Sequence, residues 1–155
     1  MEKINWCFKI KNGLKLDVPN ENLSNSYLSF AEKTLSKISD LINEKDYLWA
    51  SVRVYYCSYY CIYAFLQRIG IKSENHDCSI EITKFLINED FIKNIEIFKK
   101  NRIESQYYLD INREEELLRN YKLVKDFYRR FYEKINSLND GNIKNYRNKI
   151  KEVLK

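Results

Sequence analysis

Between Asp46 and Arg68 the chain carries a single charge, Arg53, and reads Tyr47-Leu48-Trp49-Ala50-Ser51-Val52-Arg53-Val54-Tyr55-Tyr56-Cys57-Ser58-Tyr59-Tyr60-Cys61-Ile62-Tyr63-Ala64-Phe65-Leu66. Neither glycine nor proline interrupts it before Gly70. A stretch this long exceeds any ordinary strand. Apolar side chains around nearly its whole circumference predict a helix enclosed by other helices rather than one lying on a surface. Gly70 supplies the stop, because glycine takes the left-handed conformation without a Cβ clash. The uncharged part, 14 residues between Arg53 and Arg68, falls short of the roughly 20 that a membrane-spanning helix needs.

The rest of the chain predicts the enclosing helices. Only 3 glycines and 1 proline occur in 155 residues, too few for the tight turns of a sandwich or barrel. With 45% apolar and 15% aromatic residues, the chain has enough apolar surface to fold, unlike a disordered tail. After Pro19, Asn20-Glu21-Asn22 offers capping side chains, and Leu23, Tyr27, Phe30, Ile38 and Leu41 give one apolar face down to about residue 43. Residues 73–78 read as a loop, with Asp77 capping a short helix that carries Ile80, Ile82, Phe85 and Leu86. A helix over about 89–107 bears Phe91, Ile95, Phe98 and then Arg102 on one stripe. Asn112 and Glu115 resemble a capping box before Leu117, Tyr121, Val124, Tyr128, Phe131, Ile135 and Leu138, in steps of 4, 3, 4, 3, 4 and 3. Asp140-Gly141 breaks that helix, and Ile143, Tyr146, Ile150 and Val153 or Leu154 mark a last one. The expected fold is all-α: one domain over residues 1–155, an up-and-down antiparallel bundle of four to five core helices plus a short terminal helix. Residues 1–20 form an extension of unassigned shape.

The net charge is +5, of which residues 142–155 hold +4. A basic terminal helix suits an anionic partner such as RNA, and equally describes a solvated surface. The start of the chain lacks the apolar stretch and cleavage site of a secretion signal. A cytoplasmic protein is expected, with Cys7, Cys57, Cys61 and Cys78 reduced.

Several residues can carry chemistry. Arg102 on an apolar stripe and Arg53 on the most apolar helix each need a carboxylate, a phosphate or a path to water; Glu81, Glu96 and Glu104 are the internal candidates. His76 is the sole histidine, so imidazole acid–base chemistry at neutral pH depends on it. Cys57, Cys61, His76, Asp77 and Cys78 lack the paired spacing of structural zinc sites, and no metal or cofactor is expected. Glycine-rich phosphate loops, the His-Glu-x-x-His motif and the nucleophile elbow are all absent. Tyr55, Tyr56, Tyr59, Tyr60 and Tyr63 either build core or offer π faces to nucleobases.

Residues 53–70 resemble the second helix of HEPN domains, whose pattern is Arg, a small residue, Tyr-Tyr, then alternating small and aromatic positions to a Gly. His76 resembles the Ser/Thr-His after that helix. Arg102 with Tyr107 is similar to the Arg-x4-Tyr ending of the fourth helix in a prokaryotic HEPN group often encoded with small nucleotidyltransferases. The opening, from Trp6-Cys7 through Gly13-Leu14-Lys15-Leu16 to Leu23, resembles archaeal members of that group, and the likeness runs from about Trp6 to Leu138.

The resemblance implies a helical bundle that commonly forms homodimers, in a toxin–antitoxin-like setting with a nucleotidyltransferase-type antitoxin partner. The residues and the resemblance together lead us to expect Arg53, Arg102, Tyr107 and His76 around one cleft, with Tyr56 and Tyr60 also ligand-binding, for a nucleotide, RNA or that partner. In active HEPN nucleases an Arg-x4-6-His motif cuts RNA without metal. Here the segment Arg102-Ile103-Glu104-Ser105-Gln106-Tyr107-Tyr108 contains no histidine, and a tyrosine with a pKa near 10 is a poor proton shuttle at pH 7. The leading expectation is therefore a binding module. A metal-independent endoribonuclease using Arg102 and His76, and a purely structural dimerisation module, are the alternatives.

Overall fold

The computed structural model describes residues 1–155. The elements run α1 (Glu2–Lys9), β1 (Leu14–Leu16), α2 (Glu21–Ser36), α3 (Ile38–Asn43), α4 (Tyr47–Ile69), β2 (Ile71–Ser73), α5 (His76–Ile87), a 3-10 turn (Asp90–Lys93), α6 (Asn94–Tyr108), α7 (Glu114–Ser137) and α8 (Asp140–Val153). The architecture is an all-α bundle with one small two-stranded ribbon. No helix is long and apolar enough to cross a membrane.

Helix α4 occupies the centre, packed against α2, α6 and α7 and touching α3, α5 and α8. Its buried residues include Val54, Tyr55, Cys57, Cys61, Ile62, Ala64, Phe65, Leu66 and Ile69. They occupy nearly every direction around the helix, as its composition demands. On the α7 side an aromatic cluster closes the core: Phe127 and Phe131 lie 5.0 Å apart, Phe91 sits 5.5 Å from Phe127, and Phe65 meets Phe131 at 6.2 Å. Such edge-to-face and tilted pairs set positive ring edges against negative faces, adding to the area they bury.

The helix ends follow their side chains. Asn20 accepts from the Leu23 backbone N–H at 2.9 Å to start α2, and Asp46 accepts from that of Trp49 to start α4. Gly70 ends α4 at φ 79°. A Cβ there would sit 2.6 Å from the Asp17 carbonyl oxygen and 2.8 Å from the Pro19 nitrogen, and would also meet the Arg147 guanidinium. Glycine is thus required both for the conformation and for the close approach of residues 17–19.

Four expectations need correction. The first helix is divided, α2 ending at Ser36 and α3 starting at Ile38, with Lys37 between them. Helix α5 is capped by Asn75, which accepts from the Cys78 N–H at 3.0 Å, rather than by Asp77, which lies inside its first turn. Asn112 and Glu115 form no capping box; α7 starts from Arg113 without a side-chain cap, and the box in this chain joins Asn139 and Asn142 at α8. The fourth concerns the cysteines. Cys7 and Cys78 form a disulfide across 71 residues, whereas Cys57 and Cys61 are free and buried. The bond arises because α1 packs on α5, a proximity no local pattern encodes. The expectation of four reduced cysteines does not hold for Cys7 and Cys78, which removes the support the thiols gave to a cytoplasmic setting.

Residues 1–20 are built into the fold. β1 pairs antiparallel with β2, Leu14 opposite Ser73 and Leu16 opposite Ile71. The Asp17 and Asn20 N–H groups donate to the Gly70 and Gln67 carbonyls, both at 2.9 Å. Arg147 of α8 locks this junction, one Nη1 reaching the carbonyls of Asp17, Ile69 and Gly70 at 2.8, 2.9 and 3.0 Å. Lys149 likewise donates to the Phe85 carbonyl at 3.2 Å. Two cations of the basic end are therefore occupied with holding the fold.

Candidate functional site

The central helix presents Tyr55 toward α5 and α6 on one flank and Tyr56 toward the surface beside it. His76 is the first residue of α5, placed there by the Asn75 cap. Its Nδ1 lies 2.7 Å from the Tyr55 hydroxyl, and its ring stacks on Tyr59 at 3.8 Å with 17° between planes. Arg102 approaches from α6. Its guanidinium lies over the rings of Tyr55, Tyr56 and Tyr107 at 5.2, 5.3 and 5.9 Å. Tyr55, fully buried, therefore touches the imidazole with its hydroxyl and the guanidinium with its face.

The inward residues of α6 are Ile95, Phe98 and Ser105. At about 100° per residue, position 102 falls between Ile95 and Phe98 in helical phase, on the expected stripe. Arg102 is nevertheless only half-buried, because it sits in the C-terminal half of α6, where its stem runs out to the rim and its head lies over tyrosine rings. Of the three carboxylates expected as internal partners, none pairs with it: Glu81 takes Lys3 and Lys84, Glu96 takes Lys84, and Glu104 takes Lys100. The polar contact of Arg102 is a hydrogen bond from Nε to Gln106 Oε1 at 3.2 Å. A neutral amide stands where a carboxylate would cancel the charge, and the guanidinium keeps its capacity for an anion.

The remaining expected residues fall on one side of this centre. Tyr107 is exposed and forms an outer wall over Arg102. Tyr56 and Tyr60 are half-buried, their rings 6.0 Å apart. Arg53 lies one turn before Tyr56 on the same face of α4, half-buried, forming neither an ion pair nor a side-chain hydrogen bond. The set Cys57, Cys61, His76, Asp77 and Cys78 does not assemble as ligands, since Cys78 is bonded to Cys7 and Asp77 pairs with Lys99.

Sequence reasoning missed the central part of Tyr55. It is expected as core or as a π face for a base, and nothing local shows that its hydroxyl meets a histidine 21 residues on. A groove lies next door, between α5 and α6, with Asp77, Glu81, Glu96 and Glu104 facing Lys3, Lys99 and Lys100. Its charges pair among themselves, so the residues with unused charge, not this groove, define the site.

The electrostatics follow from the packing. Burial, with Arg102 and then Lys99 adding repulsion, holds the His76 pKa below its usual value, against the opposing pull of Asp77. The ring is neutral at pH 7. Burial also raises Tyr55, and pushes Tyr59 up to about 12, so both hydroxyls keep their protons. Because the folded-state His76 pKa is depressed, the unfolded chain binds the proton first as pH falls below about 6.5. Stability from this group is full above that value and is lost as pH falls through the folded pKa. Urea unfolding midpoints of the wild type are expected to fall on going from pH 7 to pH 5 more than those of His76→Asn. With a single histidine, equal slopes would show that His76 is not shielded as described.

A family model of the HEPN domain matches residues 24–135. The chain belongs to the HEPN domain family. The match covers α2 through most of α7 and thus every residue of the Tyr55 centre. No curated protein and no solved structure matches this HEPN domain.

Proposed function

We propose that this HEPN domain binds RNA, with a backbone phosphate held at Arg102 and His76 beside it. HEPN domains have nuclease and RNA-related roles, and one observation carries the reading here. The Arg102 guanidinium, without a carboxylate partner, lies over the ring of Tyr55, whose hydroxyl meets a neutral imidazole. Its fork of donors suits phosphate oxygens, and Tyr107, exposed above it, offers a face to a base.

Cleavage is the second reading, favoured by the position of His76. On this reading His76, from α5, takes the part of the histidine that the α6 motif lacks, supported by its hydrogen bond to the Tyr55 hydroxyl while Arg102 lies over the Tyr55 ring. With Nδ1–H donating to the Tyr55 oxygen, Nε2 presents a lone pair; with the Tyr55 O–H donating to Nδ1, it presents a donor. In the first tautomer Nε2 accepts the 2′-hydroxyl proton, the 2′-oxygen attacks phosphorus, and the 5′-oxygen departs with a proton from water. The products are a 2′,3′-cyclic phosphate and a 5′-hydroxyl. Arg102 stabilises the charge that builds on the phosphoryl oxygens, and His76 acts as general base.

The test is incubation of labelled mixed-sequence RNA with wild type, Arg102→Ala and His76→Ala in chelator, scoring binding and cleavage together. Arg102→Ala is expected to lose binding. His76→Ala is expected to retain binding and to lose any cleavage. Unchanged binding in Arg102→Ala would overturn the proposal.

A further inference from the structure

The basic end of the chain converges on a hollow far from Arg102. Arg68 of α4 and Lys144, Arg147 and Lys151 of α8 line it, and Glu21 of α2 and Asp140 of α8 are the carboxylates in its walls. Its volume is about 500 Å³, the size of a small-molecule site. Positions 144, 147 and 151 recur at i, i+3 and i+7, so one face of α8 carries three cations in line, over about 10 Å at 1.5 Å per residue. Arg68 joins them from the last turn of α4, about 18 Å along that helix from Tyr56 and the Arg102 centre.

The chain does not neutralise these cations. The one ion pair among them joins Arg68 to Glu21 at 3.9 Å, too long for a hydrogen bond. The Arg68 side chain is only 16% exposed, so a largely buried guanidinium shares the hollow with a second one and a distant carboxylate. Arg147 is the fixed point. Three carbonyls hold its Nη1, while its Nε and Nη2 donate to no group of the chain. A guanidinium already held in place loses little freedom when an anion arrives, and its planar fork fits phosphate oxygens. The spread of the cations and the nature of the walls narrow the occupant further. One phosphate group is too small to meet cations set out along two turns of α8, whereas linked phosphates present oxygens along a chain. No aromatic ring lines the hollow, so nothing in it offers a face to a nucleobase. We infer that Arg68, Lys144, Arg147 and Lys151 bind a chain of two or three linked phosphates, recognised by its phosphate oxygens alone. This site is separate from the Arg102 centre and does not rest on the RNA-binding reading.

The experiment is isothermal titration calorimetry of the full chain at fixed ionic strength, with inorganic triphosphate, orthophosphate and adenosine 5′-triphosphate as probes. The wild type is expected to bind triphosphate at least about tenfold more tightly than orthophosphate, and adenosine 5′-triphosphate no more tightly than triphosphate. The double variant Lys144→Gln/Lys151→Gln changes two exposed side chains and keeps the helix propensity of α8. Its unfolding midpoint without ligand is expected to match the wild type, and its affinity for triphosphate to fall at least about tenfold. Glu21→Gln, which removes a negative charge from the hollow, is expected to tighten triphosphate binding by up to about fivefold. Arg102→Ala is expected to bind triphosphate as the wild type does; a loss there would put the anion at the other centre and overturn the inference. A folded double variant with wild-type affinity, or a wild type that binds no triphosphate, would overturn it too, leaving the RNA reading to its own assay. Adenosine 5′-triphosphate binding tenfold more tightly than triphosphate would show that a base is read, against recognition by phosphates alone.

Discussion

An Arg102→Lys variant is expected to bind RNA at least about tenfold more weakly than the wild type, a loss of about 1.4 kcal/mol, although it keeps the charge. The guanidinium is planar and lies over three tyrosine rings while its Nε is fixed by Gln106. A lysine ammonium is a compact, strongly hydrated point charge on a flexible stem, lacking both the face for stacking and the fork for two phosphate oxygens. Anisotropy titrations over a salt series separate shape from charge. The lysine variant should show the wild-type salt slope displaced to lower affinity. Arg102→Ala should reduce the slope by about one, as expected when a single phosphate contact is removed. Equal affinity of Arg102→Lys and wild type would mean that any cation suffices there.

Removal of the Cys7–Cys78 disulfide is expected to lower the unfolding free energy by about 4 kcal/mol, the entropy an unfolded chain regains when a loop of this length opens. The bond spans 71 residues and is the covalent tie between α1 and the first turn of α5. Domains of this size have only about 5–15 kcal/mol to lose. Cys7→Ser in urea unfolding should show the drop, and the wild type in a dithiol reductant should show the same one. The reductant should leave Cys7→Ser unchanged, because Cys57 and Cys61 are already free thiols. A reduced wild type as stable as the oxidised protein would contradict this account. Cys78 follows His76 by two residues, so the same experiment read by RNA binding reports whether the tie also fixes the imidazole.

The fold was legible where local pattern and tertiary demand coincide. Helix α4 shows its central place because a helix apolar all round has no other stable position, and Gly70 marks its end because no side chain fits there. Helix α7 buries Leu117, Val124, Phe131 and Ile135 as its spacing predicts, but Asn120 and Phe127 rather than Tyr121 and Tyr128 are the buried residues between them, the two tyrosines lying half-buried one step round the helix. What stayed hidden depends on proximity across the chain. The β1–β2 ribbon is three residues on each side, too short to show a period. The disulfide needs α1 to lie on α5, and the cap falls to Asn75, two residues after β2 ends, rather than to Asp77. At the site, spacing singled out Arg102 and Arg53 as cations in apolar company, and His76 stood out by being alone. The meeting of Arg102 and His76 at Tyr55 needed three elements brought together, which no spacing within one helix records.

Arg147 makes the junction between the first strand and the central helix a matter of topology. The carbonyls it gathers belong to residues 17, 69 and 70, which are 130, 78 and 77 positions away from it. Contacts of such long sequence separation close large loops, so the entropy of closing them must be met before the clasp gains anything. The clasp therefore rewards a bundle already assembled, rather than guiding the meeting of its first helices.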